Sequence, residues 1–190
     1  KDMPQTSVSD IVAAAKASPG SITVATAGVG TGQQLVAAAF MRAAGVKLLE
    51  VPYKGSPPAF TDLLAGRVDL FFDSVAAGLP YVQSGQARGL AVLSSKRNPL
   101  APDVPTMSEA GVSGLDVDSW LGIFVPAKTP PEIVEKLRAD IRAALPDLKE
   151  RFEKSGGEVW DQPDDRIGAF VASEHENWTK LIREAGIKLD

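Results

Sequence analysis

The chain has no cysteine and one histidine, His175, in 190 residues. The first absence excludes a disulfide scaffold, thiolate metal sites and thiol nucleophiles. The second excludes a multi-histidine metal centre, and no metal or other cofactor is expected. Positive charge is also short: 20 Lys and Arg stand against 24 Asp and Glu, giving a formal net charge of -4 and a pI near 5.1. That balance argues against a nucleic-acid partner, which needs a basic patch. No apolar run approaches the roughly 18 residues of a membrane span. The polar start at Lys1 has no signal-peptide pattern, although a cleaved signal would leave no trace. Lack of cysteine fits cytosol and periplasm alike. What remains is ordinary globular material, with 44% hydrophobic and 23% charged residues. The length suits one large domain or two small lobes.

Glycines and prolines divide the chain into alternating elements. Residues 8–17 read as a helix with Ser7 or Ser9 as N-cap and Pro19-Gly20 as the stop. Residues 22–26 read as a strand, and residues 33–44 as a helix ended by Gly45. A strand at 48–51 leads to a helix capped by Ser56, with Pro57 in its first turn. The run 68–72 holds Leu70, Phe71 and Phe72 in succession and reads as a strand buried on both faces. A short helix at 78–84 and a strand at 88–93 follow. This β-α-β-α-β-α-β order predicts a mainly parallel sheet with right-handed crossovers. A Pro- and Gly-rich stretch then carries a short helix near 107–110, and 117–126 reads as a bridging strand. Beyond it, 131–144 and 146–154 read as two helices, 158–160 as a short strand and 164–185 as a last helix. The division is therefore an α/β lobe at 1–116, a bridging strand at 117–126 and a helix-rich part at 127–190. The helices there carry apolar stripes, Ile133, Val134, Leu137, Ile141 and Leu145 in one and Ile167, Phe170, Val171, Trp178, Leu181 and Ile182 in another. Nothing obvious in the chain covers them, so self-association through these faces is expected.

Chemistry concentrates in one turn. Gly28-Val29-Gly30-Thr31-Gly32 lies between a strand and a helix, where backbone N–H groups and a helix N-terminus can meet an anion. No Gly-Lys-Ser/Thr follows, so it is not a nucleotide P-loop. Gln33 occupies the third glycine position of a dinucleotide fingerprint. Two readings stand: a cradle for a carboxylate, with Thr31 giving a hydroxyl and Gln33 and Gln34 giving amides, or a plain βα turn. Lys54 and Ser56 sit at the next strand end, where a capped helix beside a solvated lysine is the simpler account. Asp73 and Ser74 end another strand at the same sheet edge, placed either to touch a ligand or to cap the following helix. His175 reads as solvated surface, and Trp120, Trp160 and Trp178 as core. No Gly-x-Ser-x-Gly elbow or base partner is found, and Asp69 and Asp73 stand too far apart on a strand for paired acid–base work. No catalytic residue is assigned.

An ordered set of motifs runs through the whole chain: VPYKGS at 51–56, Asp62-Leu63-Leu64, Gly66, Val68-Asp69, Phe72-Asp73, RGLAVL at 88–93, DVPT at 103–106, EAGV at 109–112, Ser119-Trp120, Thr129-Pro130-Pro131 and Ala185-Gly186-Ile187. Together they resemble the Bug family, the periplasmic solute-binding receptors of tripartite tricarboxylate transporters. The resemblance implies a type II periplasmic-binding-protein-like α/β fold with two lobes. One loop from each lobe grips the carboxylate of a mono-, di- or tricarboxylic acid. It further implies docking to membrane transporter subunits and a periplasmic location. The second-lobe loop corresponds to Ala27, Gly28, Val29, Gly30, Thr31, Gly32, Gln33 and Gln34, with Asp73 and Ser74 beside it. Gln34 stands where the family often has histidine. The segment holding most of the first lobe is not found ahead of Lys1. The expectation is therefore one complete lobe plus the helical C-terminal part of the other, binding ligand weakly by itself. The alternative in another class is the effector-sensing domain of a cytosolic LysR-type transcription regulator, which shares the two-lobe fold.

Overall fold

The computed structural model describes residues 3–115, 117, 120–160 and 162–185, the side chains of 164, 165, 184 and 185 excepted. Helix α1 spans Val8–Ala17. It starts where a reciprocal cap forms: the Ser7 hydroxyl accepts the Asp10 N–H at 3.1 Å, and the Asp10 carboxylate accepts the Ser7 N–H at 3.0 Å. The Thr6 N–H, bound to that carboxylate at 2.9 Å, is the chief cause holding Asp10 below the usual aspartate range. Val8, Ile11 and Ala15 form the buried stripe.

The lobe then alternates as expected: β1 (Thr23–Thr26), α2 (Gly32–Ala44), β2 (Leu49–Pro52), α3 (Ser56–Leu64), β3 (Leu70–Phe71) and α4 (Val75–Gln83). The three strands form a parallel sheet in the order β2-β1-β3. Thr23 faces Leu49 across one ladder, and Val24 faces Leu70 across the other. Only two residues of β3 pair, and a side-chain clasp supports the join. The Thr23 N–H and hydroxyl donate to Asp69 at 2.8 and 2.7 Å, and the Asp69 N–H returns to the Thr23 oxygen at 2.9 Å. One core layer, with Ile11, Val24, Phe40 and Leu48, lies on the α1 and α2 side of the sheet. A smaller layer of Ala25, Ala59 and Val68 lies under α3. Helix α2 ends at Gly45, whose φ of 63° returns its N–H to the Arg42 carbonyl at 3.2 Å.

Several expectations fail for identifiable reasons. The 88–93 segment forms a single bridge, Val92 to Thr106, instead of a strand beside β3. A cleft separates the two, which also leaves Leu70, Phe71 and Phe72 half-buried rather than enclosed. Among the described residues of 117–126 no strand forms: Val117 donates to Leu93 at 3.2 Å, and the apolar run after it has no ladder partner. Residues 158–160 likewise pair with nothing. Strand-forming composition cannot make a strand without an edge to join. Residues 107–110 form a turn, closed by the Thr106 N–H to Glu109 at 2.8 Å. Helix α3 takes Gly55 as N-cap, and Ser56 is its first residue with no side-chain cap bond. Helix α4 begins earlier than expected because Ser74 caps it.

The two C-terminal helices are α5 (Pro131–Lys154) and α6 (Asp164–Ala185). The expected break at Pro146 is absent, and α5 continues through it. A proline costs a helix one N–H donor and a bend, which an exposed helix tolerates. α6 packs against α2, and Leu181 reaches the core. α5 buries no residue. Exposed area records the consequence: 12100 Å², against about 8,700 Å² for a typical folded chain of this mass. Trp120 and Trp160, expected in the core, are 36% and 49% exposed. They flank Phe170 with ring centres 5.5 and 4.6 Å away. No helix among the described residues is long and apolar enough to cross a membrane.

Candidate functional site

All three strands of a parallel sheet end on the same edge, so the turns after β1, β2 and β3 gather there. The β1–α2 turn is central because β1 is the middle strand. Its shape depends on glycine at two points. Gly28 has φ 128° and Gly30 has φ 75°, and a Cβ on Gly28 would sit 3.3 Å from the Tyr53 carbonyl oxygen. Thr31 closes the turn. Its hydroxyl donates to the Gly28 carbonyl at 2.7 Å and, as N-cap of α2, accepts the Gln34 N–H at 3.5 Å. The Ala27 carbonyl accepts the Gly55 N–H at 3.1 Å, which seats the turn against the next one.

The two glutamines bind the turn to its neighbours on both sides. Gln34 turns its amide oxygen to the Gly30 N–H at 2.8 Å and donates its NH₂ to Glu50 on β2 at 3.1 Å. Gln33 donates to the Asp73 carboxylate after β3 at 3.1 Å, and the Ser74 N–H donates to the same oxygen at 2.8 Å. Ser74 also caps α4 through the Ala77 N–H at 3.3 Å. The sequence allowed either a ligand-facing or a capping role for Asp73 and Ser74, and the structure gives both a bonded role in the lobe. Glu50 and the Tyr53 carbonyl were missed. Only the polar residue amid apolar ones in LEVP marks Glu50 in the sequence.

After these bonds, the N–H groups of Gly28, Val29, Gly32 and Gln33 meet no acceptor among the described residues. Val29 is 68% exposed, so this surface is open. The first turn of α2 has no acidic residue to neutralise its positive end. Two buried oxygens nearby in sequence, Thr26 Oγ1 and Asp73 Oδ2, also have no partner. At the β2–α3 turn, the Tyr53 hydroxyl donates to Asp62 at 2.9 Å, and Arg67 donates to Asp62 at 2.7 Å. Burial first, then Asp62, raises the Tyr53 pKa, and Arg67 is the main cause lowering that of Asp62. Lys54 is exposed, and His175 is on the surface as expected. No group of three His, Cys, Asp or Glu among the described residues is arranged for a metal ion. The arrangement offers a rigid row of outward N–H donors at a helix start, which suits a carboxylate and supplies no nucleophile or base.

Comparison with known proteins points the same way. The family described as tripartite tricarboxylate transporter family receptor matches residues 1–187. A UPF0065 protein from the tcbD-tcbE intergenic region of Pseudomonas sp. (strain P51) is 39% identical over 93% of this chain and 54% of its own. Protein BugT of Bordetella pertussis is 34% identical over 96% of this chain and 57% of its own. Among solved structures, R. palustris Rpa4515 with adipate superposes with a TM-score of 0.91 at 34% identity, over 98% of this chain and 63% of that one. MatC (Rpa3494) from Rhodopseudomonas palustris with bound malate gives 0.84 at 30% identity, over 94% and 63%. The chain thus spans about half the length of the two curated relatives.

Proposed function

The chain belongs to the tripartite tricarboxylate transporter receptors, the Bug-type solute-binding proteins, which are receptors and not enzymes, and from that premise we propose that its glycine turn is one jaw of a site for a small organic acid. The free N–H groups of Gly28, Val29, Gly32 and Gln33 carry this reading. An anion there meets the positive end of α2 and several fixed dipoles, which outweigh the screened net charge of -4. Gln33 and Gln34 hold the turn rigid, and Asp73 and Ser74 set its flank. Malate and adipate on two structural neighbours support a di- or monocarboxylate as ligand class. A second jaw, contributed by polypeptide of the kind the longer relatives carry beyond the matched stretch, would close over the acid and form a joint surface for membrane transporter subunits in the periplasm. This chain alone then binds weakly.

Gly32 allows a clean test. It is the first residue of α2, follows Thr31 in an extended conformation (ψ 156°), and a Cβ there meets nothing within 4 Å. Gly32→Pro therefore deletes one N–H at a position where proline suits a helix start. In amide NMR titrations with millimolar malate or adipate, shifts should concentrate at Gly28, Val29, Gly32 and Gln33. Gly32→Pro should weaken binding and leave Tm within a few degrees. Shifts elsewhere only, no shift with either acid, or indifference to Gly32→Pro would overturn the site. Submillimolar affinity of the isolated chain would overturn the need for a second jaw.

A further inference from the structure

The cleft that separates β3 from the 88–93 segment is about 230 Å³ and is lined by residues of β3 and of 86–92. β3 pairs on one edge only. Across the cleft, Val92 turns its N–H to Pro105 and its carbonyl to Met107, both at 2.8 Å and both away from β3. Successive residues of an extended chain turn to opposite sides, so Gly89 and Ala91 direct their backbone groups back toward β3. Two buried side-chain oxygens without partners, Gln5 Oε1 and Asp73 Oδ2, line this same cleft, and both call for N–H donors. The walls are apolar on both faces: Ile11 and Phe40 on one, Phe60, Leu79 and Val82 on the other. A space with unpaired backbone on both sides and apolar layers above and below is the space of a missing central strand.

The chain also carries a strand without a sheet. Trp120 is anchored to α6 by its N–H to Glu174 at 2.9 Å. Beyond it Leu121, Ile123 and Phe124 are 99%, 78% and 67% exposed, and Pro126 ends the run. Residues 120–125 are apolar on both faces, as a central strand requires. The anchor on α6 carries the run away from its own cleft.

We infer that two copies of this chain assemble by strand exchange, residues 120–125 of each copy filling the cleft between β3 and residues 88–92 of the other. Area supports the commitment. The exposed side chains of 121–125 present on the order of 500 Å², so a reciprocal exchange buries roughly 2,000 Å² in total, within the range of stable dimers. The inference is independent of the carboxylate reading.

The absence of cysteine makes a trapping experiment direct. The 190-residue chain should sediment at twice 20.0 kDa. A mixture of the Ala91→Cys and Ile123→Cys variants should form an intermolecular disulfide under mild oxidation. Phe124→Asp, at an exposed site, should yield monomers with unchanged far-UV circular dichroism. Ile133→Asp on the exposed face of α5 should leave the dimer intact. A monomer at all concentrations overturns the inference. So does a dimer that survives Phe124→Asp and breaks with Ile133→Asp, since the helix faces would then hold it. A monomer whose Gly89 and Ala91 amides resist hydrogen exchange would mean that the chain fills its own cleft, which also overturns exchange.

Discussion

Replacing Thr31 by valine keeps the shape of the side chain and removes only its hydroxyl. That oxygen makes a 2.7 Å bond to the Gly28 carbonyl and a longer 3.5 Å cap bond from the Gln34 N–H. An N-cap contributes about 0.5–2 kcal/mol, and the length of this one puts it at the low end. The short bond to a part-buried carbonyl adds about 1 kcal/mol. The loss should thus be about 1.5–2 kcal/mol, which for a chain of this length lowers Tm by about 3–8 °C. Thr31→Ser retains both bonds and should stay within about 0.5 kcal/mol of the parent. Urea unfolding followed by circular dichroism measures all three proteins. If Thr31→Val unfolds at the parental midpoint, or serine falls as far as valine, the hydroxyl does not hold the turn and the reasoning about its rigidity fails.

Gly28→Ala should cost about 1–3 kcal/mol in the same assay, because a residue with φ 128° and the Tyr53 carbonyl 3.3 Å from the new methyl is strained; Gly20→Ala, with φ 80° and open space around it, isolates the backbone share of that cost. Gln34→Glu would set a carboxylate about 3 Å from Glu50 in place of an amide. Repulsion raises the pKa of the pair above its unfolded value, so stability present below about pH 4.5 is lost as pH rises, and the variant should lag the parent more at pH 7 than at pH 4.5. Equal deficits at both pH values would deny the contact. The parent follows the opposite course: Glu109, lowered chiefly by Arg97 and then by the Thr106 N–H, and Asp10 are held below their usual range. Their stabilisation is full above the unfolded carboxylate pKa and fades as pH falls below about 4.5. Glu109→Gln should flatten that acid limb, as urea midpoints across pH 3–7 would record.

Most of the lobe was legible because local signals and tertiary packing agree there. Ser7 with Asp10, Gly45 after α2 and the apolar spacing of α1 each specify an element that the fold retains. The glycine turn was legible as a shape, but its wiring was not. Gln33 reaches a residue 40 positions away and Gln34 one 16 away, and no local pattern encodes such pairs. The strands at 88–93 and 117–126 were overread for a single reason. Apolar composition reports that a segment can be buried in a sheet, and a sheet needs a neighbouring edge that the sequence of that segment does not contain. Pro146 was overread in the other direction, since a helix with one solvated face absorbs a proline that a packed helix would not.

The freedom of α5 has a thermal consequence. A helix that buries no side chain depends on its own ion pairs, such as Lys136–Asp140 at 2.9 Å and Lys154–Glu150 at 2.6 Å, each contributing only about 0.3–0.5 kcal/mol. Heating should unwind it gradually over a broad span, ahead of the sharp, all-or-none melting of the α/β layers. The calorimetric enthalpy of the sharp step would then belong to fewer residues than the chain contains, with a smaller heat-capacity increment to match.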